Sequence, residues 1–424
     1  MAEAIISPGV FTRENDISFI QPAPVEAGAA IIGPAVKGPV EKPTLVTSYN
    51  DYVRTFGATF ESASTSYEFM TSLAVKNYFS QGGNSVLVSR VVSGAYDPAT
   101  STKITGSAVA TAPFALETLG EGVLFNNSTG VDDPGAENSD GSLVSGSSDN
   151  LRWEISNISN SQGTFSLSVR QGDDNTKSKI ILETFNNVSL DPNSSNYIEA
   201  VIGNQSSTLV DGADGTYIRT SGEYINRSNY VRVSAVNLKT IDYLSTDGVT
   251  VNTDSDGVSY SGSLPVSSSG SFQGATGDII AGANFFDNIN DTNTQGLVAG
   301  NYTSIINLLA NTEEYIFNII SAPGLTSANE THVTPIDSII SLAEGRGDCI
   351  AVVDVQNYEA TVSNVVAKAT SLNSSYAATY WPWLQVLSAT GRNEWVPASV
   401  VIPGVYAFTD NSSAPWFAPA GLVR

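Results

Sequence analysis

Three apolar runs constrain this chain more than any other feature: Ser85-Val-Leu-Val-Ser-Arg-Val-Val92, Tyr315-Ile-Phe-Asn-Ile-Ile320 and Cys349-Ile-Ala-Val-Val-Asp354. A strand with one wet face alternates polar and apolar residues, whereas a run that is apolar at nearly every position must be covered on both faces. Helices provide such cover, and segments of helical character separate the runs. Residues 62–81 place Tyr67, Met70, Leu73, Ala74 and Tyr78 near one face, with Gly82-Gly83 as the stop, and further helices are expected at 302–311 and 335–344. The pattern predicts an α/β core with a covered, largely parallel sheet. Because its parts lie at both ends of the sequence, the core is expected to be discontinuous, formed by 23–94 plus 300–424.

The interrupting stretch, 95–300, has a different composition. It is rich in Gly, Ser, Asn and Asp, and it carries 24 acidic against 9 basic side chains, a net charge of −15, where the rest of the chain carries −8. Short alternating runs, Leu151-Arg-Trp-Glu-Ile-Ser156, Thr164-Phe-Ser-Leu-Ser-Val-Arg170 and Tyr230-Val-Arg-Val-Ser234, stand between turn clusters. Period-2 alternation of this kind marks half-exposed antiparallel strands. The stretch is therefore expected to be one or two inserted, β-rich, acidic domains facing outward. A length of 424 residues has room for them beside a large core.

Charge and motif content exclude several functions. The formal charge of −23 argues against direct nucleic-acid binding, which needs a cationic face, and against a basic membrane-surface patch. Met1 to Pro8 has no cationic segment leading into a long apolar one, and no apolar stretch of about 20 residues occurs, so no membrane insertion is expected and the chain should fold soluble in a cytoplasm. The single cysteine, Cys349, reads as a buried thiol. The single histidine, His332, reads as an ordinary loop or surface residue, since no Gly-x-Ser-x-Gly elbow presents a nucleophile to it. Phosphate-cradling glycine motifs are missing as well. Asn252-Thr-Asp254-Ser-Asp256-Gly257 opens like a calcium loop, but its twelfth position is Ser263 and a turn explains it better. Arg346-Gly347-Asp348 reads as a helix-to-strand connection, Glu313-Glu314 as solvated, and the several Asn-x-Ser/Thr sites, including Asn127, Asn157 and Asn301, as products of composition. No catalytic, cofactor or metal residue is assigned, and no enzyme is predicted.

The first ~22 residues fit neither part; with Pro8, Pro22 and Pro24 and no helical stripe they read as an extended arm. Here a resemblance enters. Ser7-Pro-Gly-Val-Phe-Thr-Arg-Glu14, Ala29-Ala-Ile-Ile-Gly-Pro-Ala-Val-Lys-Gly-Pro39, Pro43-Thr-Leu-Val-Thr-Ser-Tyr-Asn-Asp-Tyr52 and Phe56-Gly57, four segments in order, resemble the opening of contractile phage tail sheath proteins (myovirus type). Further matches are Ala74-Val-Lys-Asn-Tyr-Phe79 leading to Gly82-Gly-Asn-Ser-Val-Leu-Val-Ser-Arg90, then Ser375-Tyr-Ala-Ala-Thr-Tyr-Trp-Pro-Trp383. The last runs from Val396-Pro-Ala-Ser399 through Gly404 and Asp410 to Ala414-Pro-Trp-Phe-Ala-Pro-Ala-Gly421. The resemblance covers roughly 1–94 and 300–424.

The resemblance implies a non-catalytic core of subtilisin-like fold and a structural role. Sheath subunits polymerise helically around a rigid tail tube and contract to drive it through the host envelope. The implied partners are other copies of the chain (a helical homo-oligomer of the full-length protein), the tail tube protein, and the baseplate and tail terminator proteins; the implied place is the virion tail, assembled in the bacterial host cytoplasm. It also gives the arm a task, joining a neighbour's sheet edge through Ile5, Ile6, Ser7, Pro8, Gly9, Val10, Phe11, Thr12, Arg13 and Glu14. Family members usually continue past the Pro-Trp-Phe-Ala-Pro-Ala-Gly motif into a tube-facing inner domain and a C-terminal arm, so that inner domain is expected to be absent from these 424 residues. Two other readings stand beside this one: a β-rich phage surface or receptor-binding protein, and a carbohydrate-active enzyme hosted by the acidic β region.

Overall fold

A computed structural model describes residues 25–62, 65–101, 104–108, 111–122, 137–144, 146–212, 215–278, 289–292, 294–295, 297–413 and 416–419. The first part runs β1 (Val25–Gly33), β2 (Thr44–Val46), α1 (Tyr49–Phe56), β3 (Thr59–Ser62), β4 (Thr65–Glu68), α2 (Met70–Ser80) and β5 (Val86–Arg90). The middle holds β6 (Ser93–Ser101), β7 (Phe114–Glu121), β8 (Leu151–Ser159), β9 (Thr164–Gln171), β10 (Ile181–Ser189), α3 (Ile198–Ile202), β11 (Ser206–Gly212), β12 (Gly215–Ser221), β13 (Val231–Val236), β14 (Ser268–Gln273) and β15 (Thr276–Asp278). The last part runs α4 (Thr303–Leu308), β16 (Tyr315–Thr326), α5 (Glu330–Arg346), β17 (Ile350–Asp354), α6 (Val362–Leu372), β18 (Ala377–Ala378), β19 (Leu384–Leu387), β20 (Asn393–Val396) and α7 (Ile402–Ser412). The chain is thus a mixed α/β protein.

One sheet draws strands from both ends of the sequence, in the order β18-β17-β16-β1-β5-β2. All its pairings are parallel except β2 on β5. The apolar runs supply both faces in alternation. Ala30 and Ile32 of β1, Leu87 of β5 and Phe317 of β16 join one cluster with Tyr302, Ile336 and Ile339, while Ala29, Ile31, Val86 and Val88 join another with Tyr52, Phe56, Leu73 and Val400. The sheet is therefore sandwiched between helical layers, α4 and α5 on one side and α1, α2 and α7 on the other. Gly28 permits the close approach of α2: a Cβ there would lie 2.0 Å from the Tyr78 hydroxyl.

The middle strands form a second, antiparallel sheet in the order β10-β9-β8-β14-β6-β7-β13, with β15 also on β6. Its core is built by Phe114, Trp153, Ile155, Phe165, Leu167 and Phe272. The β11–β12 hairpin stands apart from that sheet and packs Leu209 and Ile218 on the α4/α5 cluster of the first.

Three helix boundaries differ from expectation. Residues 62–81 are not one helix: α2 begins at Met70, and the β3–β4 hairpin precedes it. The alternation of Thr, Phe, Ser and Tyr there favours strands, and Phe60 stacks on Tyr67 at 5.5 Å. The helix expected at 335–344 starts five residues earlier, at Glu330. Proline normally opens a helix, yet here Pro335 is tolerated within α5 because that face buries Ile336, Ile339, Ile340 and Leu342. The helix expected at 302–311 is reduced to α4 behind a 3-10 turn at Ala299–Tyr302.

Candidate functional site

Among the described polar side chains, the most chemically suggestive group lies at the carboxyl end of β17. Asp354 closes that strand, and both its oxygens are taken by Ser399: Oγ donates to Oδ2 at 2.5 Å and the Ser399 N–H donates to Oδ1 at 3.2 Å. Nearby, His332 is fully buried in the first turn of α5, not on a loop or the surface as its sequence context suggests. Its Nδ1 accepts the Thr326 N–H at 3.0 Å, and burial holds its imidazole below the usual histidine value. A serine protease needs a hydroxyl facing an imidazole and open to substrate. Here the hydroxyl faces the carboxylate, and Ser399, Asp354 and His332 are all buried. The group is a structural clasp between β17 and the 3-10 turn Ala398–Val400 that leads into α7.

That clasp has a pH signature. Burial pushes the Asp354 carboxyl up to about 7, against the pull of the two Ser399 bonds, from an unfolded value of about 3.9. The folded chain then holds this proton more tightly than the unfolded one, so the contribution to stability is greatest below pH ~4 and declines as pH rises towards 7. Asp354→Asn removes the titration. The melting temperature of wild type relative to that variant is expected to fall between pH 4 and 7, and a constant difference would contradict the assignment.

Arg90 ends β5 in the otherwise apolar run and is buried. Its Nε donates to the Ala35 carbonyl at 3.1 Å, and its Nη1 to the carbonyls of Gly38 and Glu121 at 2.6 Å each. Burial draws its guanidinium down to about 10, with the Glu121 charge opposing the shift. Glu121 lies on β7 of the second sheet, and its own carboxylate accepts from Val40 N–H at 2.7 Å and Lys42 Nζ at 2.6 Å. Lys37 to Asp149 (3.0 Å) and Tyr96 to Glu41 (2.7 Å) make further connections between the first and middle parts of the chain. Arg90 is thus the centre of a joint between the two sheets.

Within the second sheet, Arg152 of β8 stands directly opposite Arg170 of β9. Like charges at such a pair repel. Asp174, whose side chain is fully buried, lies between them: it accepts Arg170 Nε and Nη2 at 2.7 Å each and Arg152 Nη1 at 3.2 Å, and also the Ile180 N–H at 3.0 Å. Glu154 and Glu137 complete the network at 3.0 Å from Arg170 and 2.7 Å from Arg152.

A cleft of about 720 Å³ separates β2 and α1 from β7 and β13. Its charges are already matched, Lys42 with Glu121, Arg54 with Asp51 and Arg232 with Glu117, which leaves no free charge to recognise a ligand. No group of three or more His, Cys, Asp or Glu among the described residues is placed to hold a metal ion, and no helix among them is long and apolar enough to cross a membrane.

The remaining sequence candidates resolve simply. Ile5 to Glu14 lie outside the described residues. Cys349 is buried, and burial raises its thiol to about 11. Asp254 accepts the N–H groups of Asp256 and Val258, with Gly257 at φ +80°, which is a turn. Arg346 and Gly347 end α5, and the guanidinium is held by the carbonyls of Leu309 and Tyr315 over the Phe317 ring. Glu313 is exposed, whereas Glu314 is half-buried and accepts the Tyr315 hydroxyl at 3.0 Å. Sequence reasoning missed Arg90, Asp174 and Asp354 as organising groups. For Arg90 a signal existed, one cation inside an apolar run.

No protein-family model matches the chain, and no curated protein does. Solved structures do. The sheath tail protein Lin1278 of Listeria innocua is 13% identical over 91% of this chain and 57% of its own, with a TM-score of 0.42. The sheath tail protein DSY3957 of Desulfitobacterium hafniense is 11% identical over 94% and 62%, with a TM-score of 0.40. Both carry the name of the family that the sequence motifs resemble. The chain spans about three fifths of the length of these two proteins.

Proposed function

We propose that the chain is a structural subunit of a contractile tail sheath, a component of the virion tail that polymerises helically around the tail tube and contracts to drive it through the host envelope. One observation carries the reading. The sheath-like segments, separated by residues 95–300 in sequence, come together as one packed unit: β1, β2, α1, α2 and β5 from one end, β18, β19, β20 and α7 from the other. The contacts are specific. Glu68 accepts Ser388 Oγ at 2.8 Å and Ala389 N–H at 2.5 Å, and Asn411 Nδ2 donates to the Gly82 carbonyl at 2.5 Å. Motif matches that arose by chance would have no reason to meet.

In this reading the six-stranded sheet is the family's subtilisin-like, non-catalytic core, 95–300 is an inserted, outward-facing region, and the arm Ile5 to Glu14 links neighbouring subunits. The partners are further copies, the tail tube, and the baseplate and terminator proteins, and assembly takes place in the bacterial cytoplasm. The closed Ser399–Asp354 clasp supports a non-enzymatic role. Electron microscopy of the protein expressed from its own gene tests the proposal. Hollow helical tubes are expected; fibres or monomers would favour the β-rich surface protein instead.

A further inference from the structure

His332 is the only histidine of the chain, and the groups around it fix its tautomer. The Thr326 main-chain N–H donates to its Nδ1 at 3.0 Å, and a main-chain N–H can only donate. The Asn329 side-chain nitrogen stands 3.4 Å from the same atom. That amide is oriented by a reciprocal pair with Asn357: its nitrogen donates to Asn357 Oδ1 at 3.2 Å, and its oxygen accepts from Asn357 Nδ2 at 2.9 Å. Two donors therefore converge on Nδ1, which must keep its lone pair, and the hydrogen of the neutral ring sits on Nε2. Nε2 is directed at the Asn290 backbone but meets no acceptor in good hydrogen-bond geometry among the described residues.

The turn that carries His332 also holds the last part of the inserted stretch. Thr331 donates its N–H to Asp291 Oδ1 at 3.2 Å and its hydroxyl to the Asp291 carbonyl at 2.7 Å, so residues 289–292 are pinned to the first turn of α5. On the core side the chain is anchored separately. Thr294 Oγ1 donates to the Gly324 carbonyl at 2.7 Å, and the Gln295 amide joins the Pro323 carbonyl at 3.0 Å to the Met70 N–H at 2.7 Å. A proton added to Nδ1 would aim an N–H at the Thr326 N–H and at the Asn329 amide, and it would charge a side chain that has no exposed surface. The ring then has to leave, and the turn that holds Asp291 moves with it. Of the acids on the elements packed around the ring, Asp291 favours the protonated form by its charge, Glu330 and Glu359 are exposed, and Asp354, the β17 partner of Thr326, is engaged by Ser399. No Lys or Arg occurs in 289–292, 321–332 or 350–361.

We propose that His332 is an acid-operated latch: neutral, it holds residues 289–292 against α5, and protonated, it releases them while the anchors at Thr294 and Gln295 stay in place. The inference is independent of the sheath reading. Because the chain has one histidine, protein labelled with nitrogen-15 histidine shows a single ring by NMR, and its titration can be read beside amide hydrogen exchange at Thr326 and Thr331. At neutral pH the expected tautomer carries its hydrogen on Nε2. Between about pH 7 and 4.5 the ring should gain a proton, and protection of both amides should fall about tenfold or more at the same midpoint, with protection in β9 unchanged. His332→Asn keeps an acceptor near the Nδ1 position and does not titrate, so protection of the two amides should stay level over that range; Asp354 titrates in both proteins and cancels. Asp291→Asn keeps the Oδ1 acceptor and removes the charge, so the ring's midpoint should move to lower pH. Any one of four results would overturn the latch: a hydrogen on Nδ1 at neutral pH, a ring that stays neutral until the whole chain unfolds, a loss of protection shared by His332→Asn, or a midpoint unmoved by Asp291→Asn.

Discussion

Replacing Asp174 by alanine is expected to destabilise the second sheet by about 3–5 kcal/mol, the range for removing one member of a buried ion network. The charge left behind explains the size. Arg152 and Arg170 face one another across β8 and β9, and Asp174 is the acid that touches both. Without it the two guanidiniums repel across the pair with only the partly exposed Glu137 and Glu154 left to hold them, and the Ile180 N–H loses its acceptor. At roughly 2–4 °C per kcal/mol for a unit of this size, the melting temperature should drop by about 10 °C. Asp174→Asn keeps an acceptor without the charge and should fall between. A loss below about 1 kcal/mol for the alanine variant would mean that the arginines find other partners, and the network would not be the organising feature of this sheet.

Arg90→Met is expected to cost a similar ~3–5 kcal/mol, but with a different pattern. Methionine fills the apolar volume of the side chain and donates nothing, so the carbonyls of Ala35 and Glu121 lose the guanidinium's bonds and that of Gly38 keeps only the Glu121 N–H at 3.3 Å. Because Glu121 belongs to β7 and Arg90 to β5, the loss falls on the joint between the sheets rather than inside either. Calorimetry should therefore show the two sheets melting further apart in the variant than in wild type. The Lys37–Asp149, Tyr96–Glu41 and Lys42–Glu121 contacts would remain between them. A variant that melts as one unchanged transition would show that Arg90 does not hold the joint.

How much of this was legible in the sequence depends on the kind of signal. Val86 to Val88, Phe317 and Val352 lie in apolar runs that demand cover on two faces, so the parallel sheet and its flanking helices follow from hydrophobicity alone. Leu151, Trp153 and Ile155 likewise reveal β8 by alternation. The opposite face of the same strand was misleading. Arg152 occupies a position that alternation assigns to solvent, yet loop residues such as Gly141 and Asp174 cover it and bury it. Alternation reports periodicity and cannot report which loops fold over a polar face. The β3–β4 hairpin was hidden for a related reason: Tyr67 falls at helical spacing from Met70 and Tyr78, and the stacking of Phe60 on Tyr67 that selects strands is a tertiary contact. His332 and Asp354 were unreadable as buried groups because their partners, the Thr326 N–H and Ser399, are set by the packing of β16, β17 and the turn before α7.

The clasps at Arg90, Asp174 and Asp354 and the meeting of the sheath-like segments in one packed unit are the features on which the proposed sheath role rests. The most direct test of that account is to inactivate the gene in its parent particle and image the tails. The account predicts tails reduced to bare tubes, with the sleeve restored when the gene is supplied again. Intact sleeves on particles lacking this chain would contradict it.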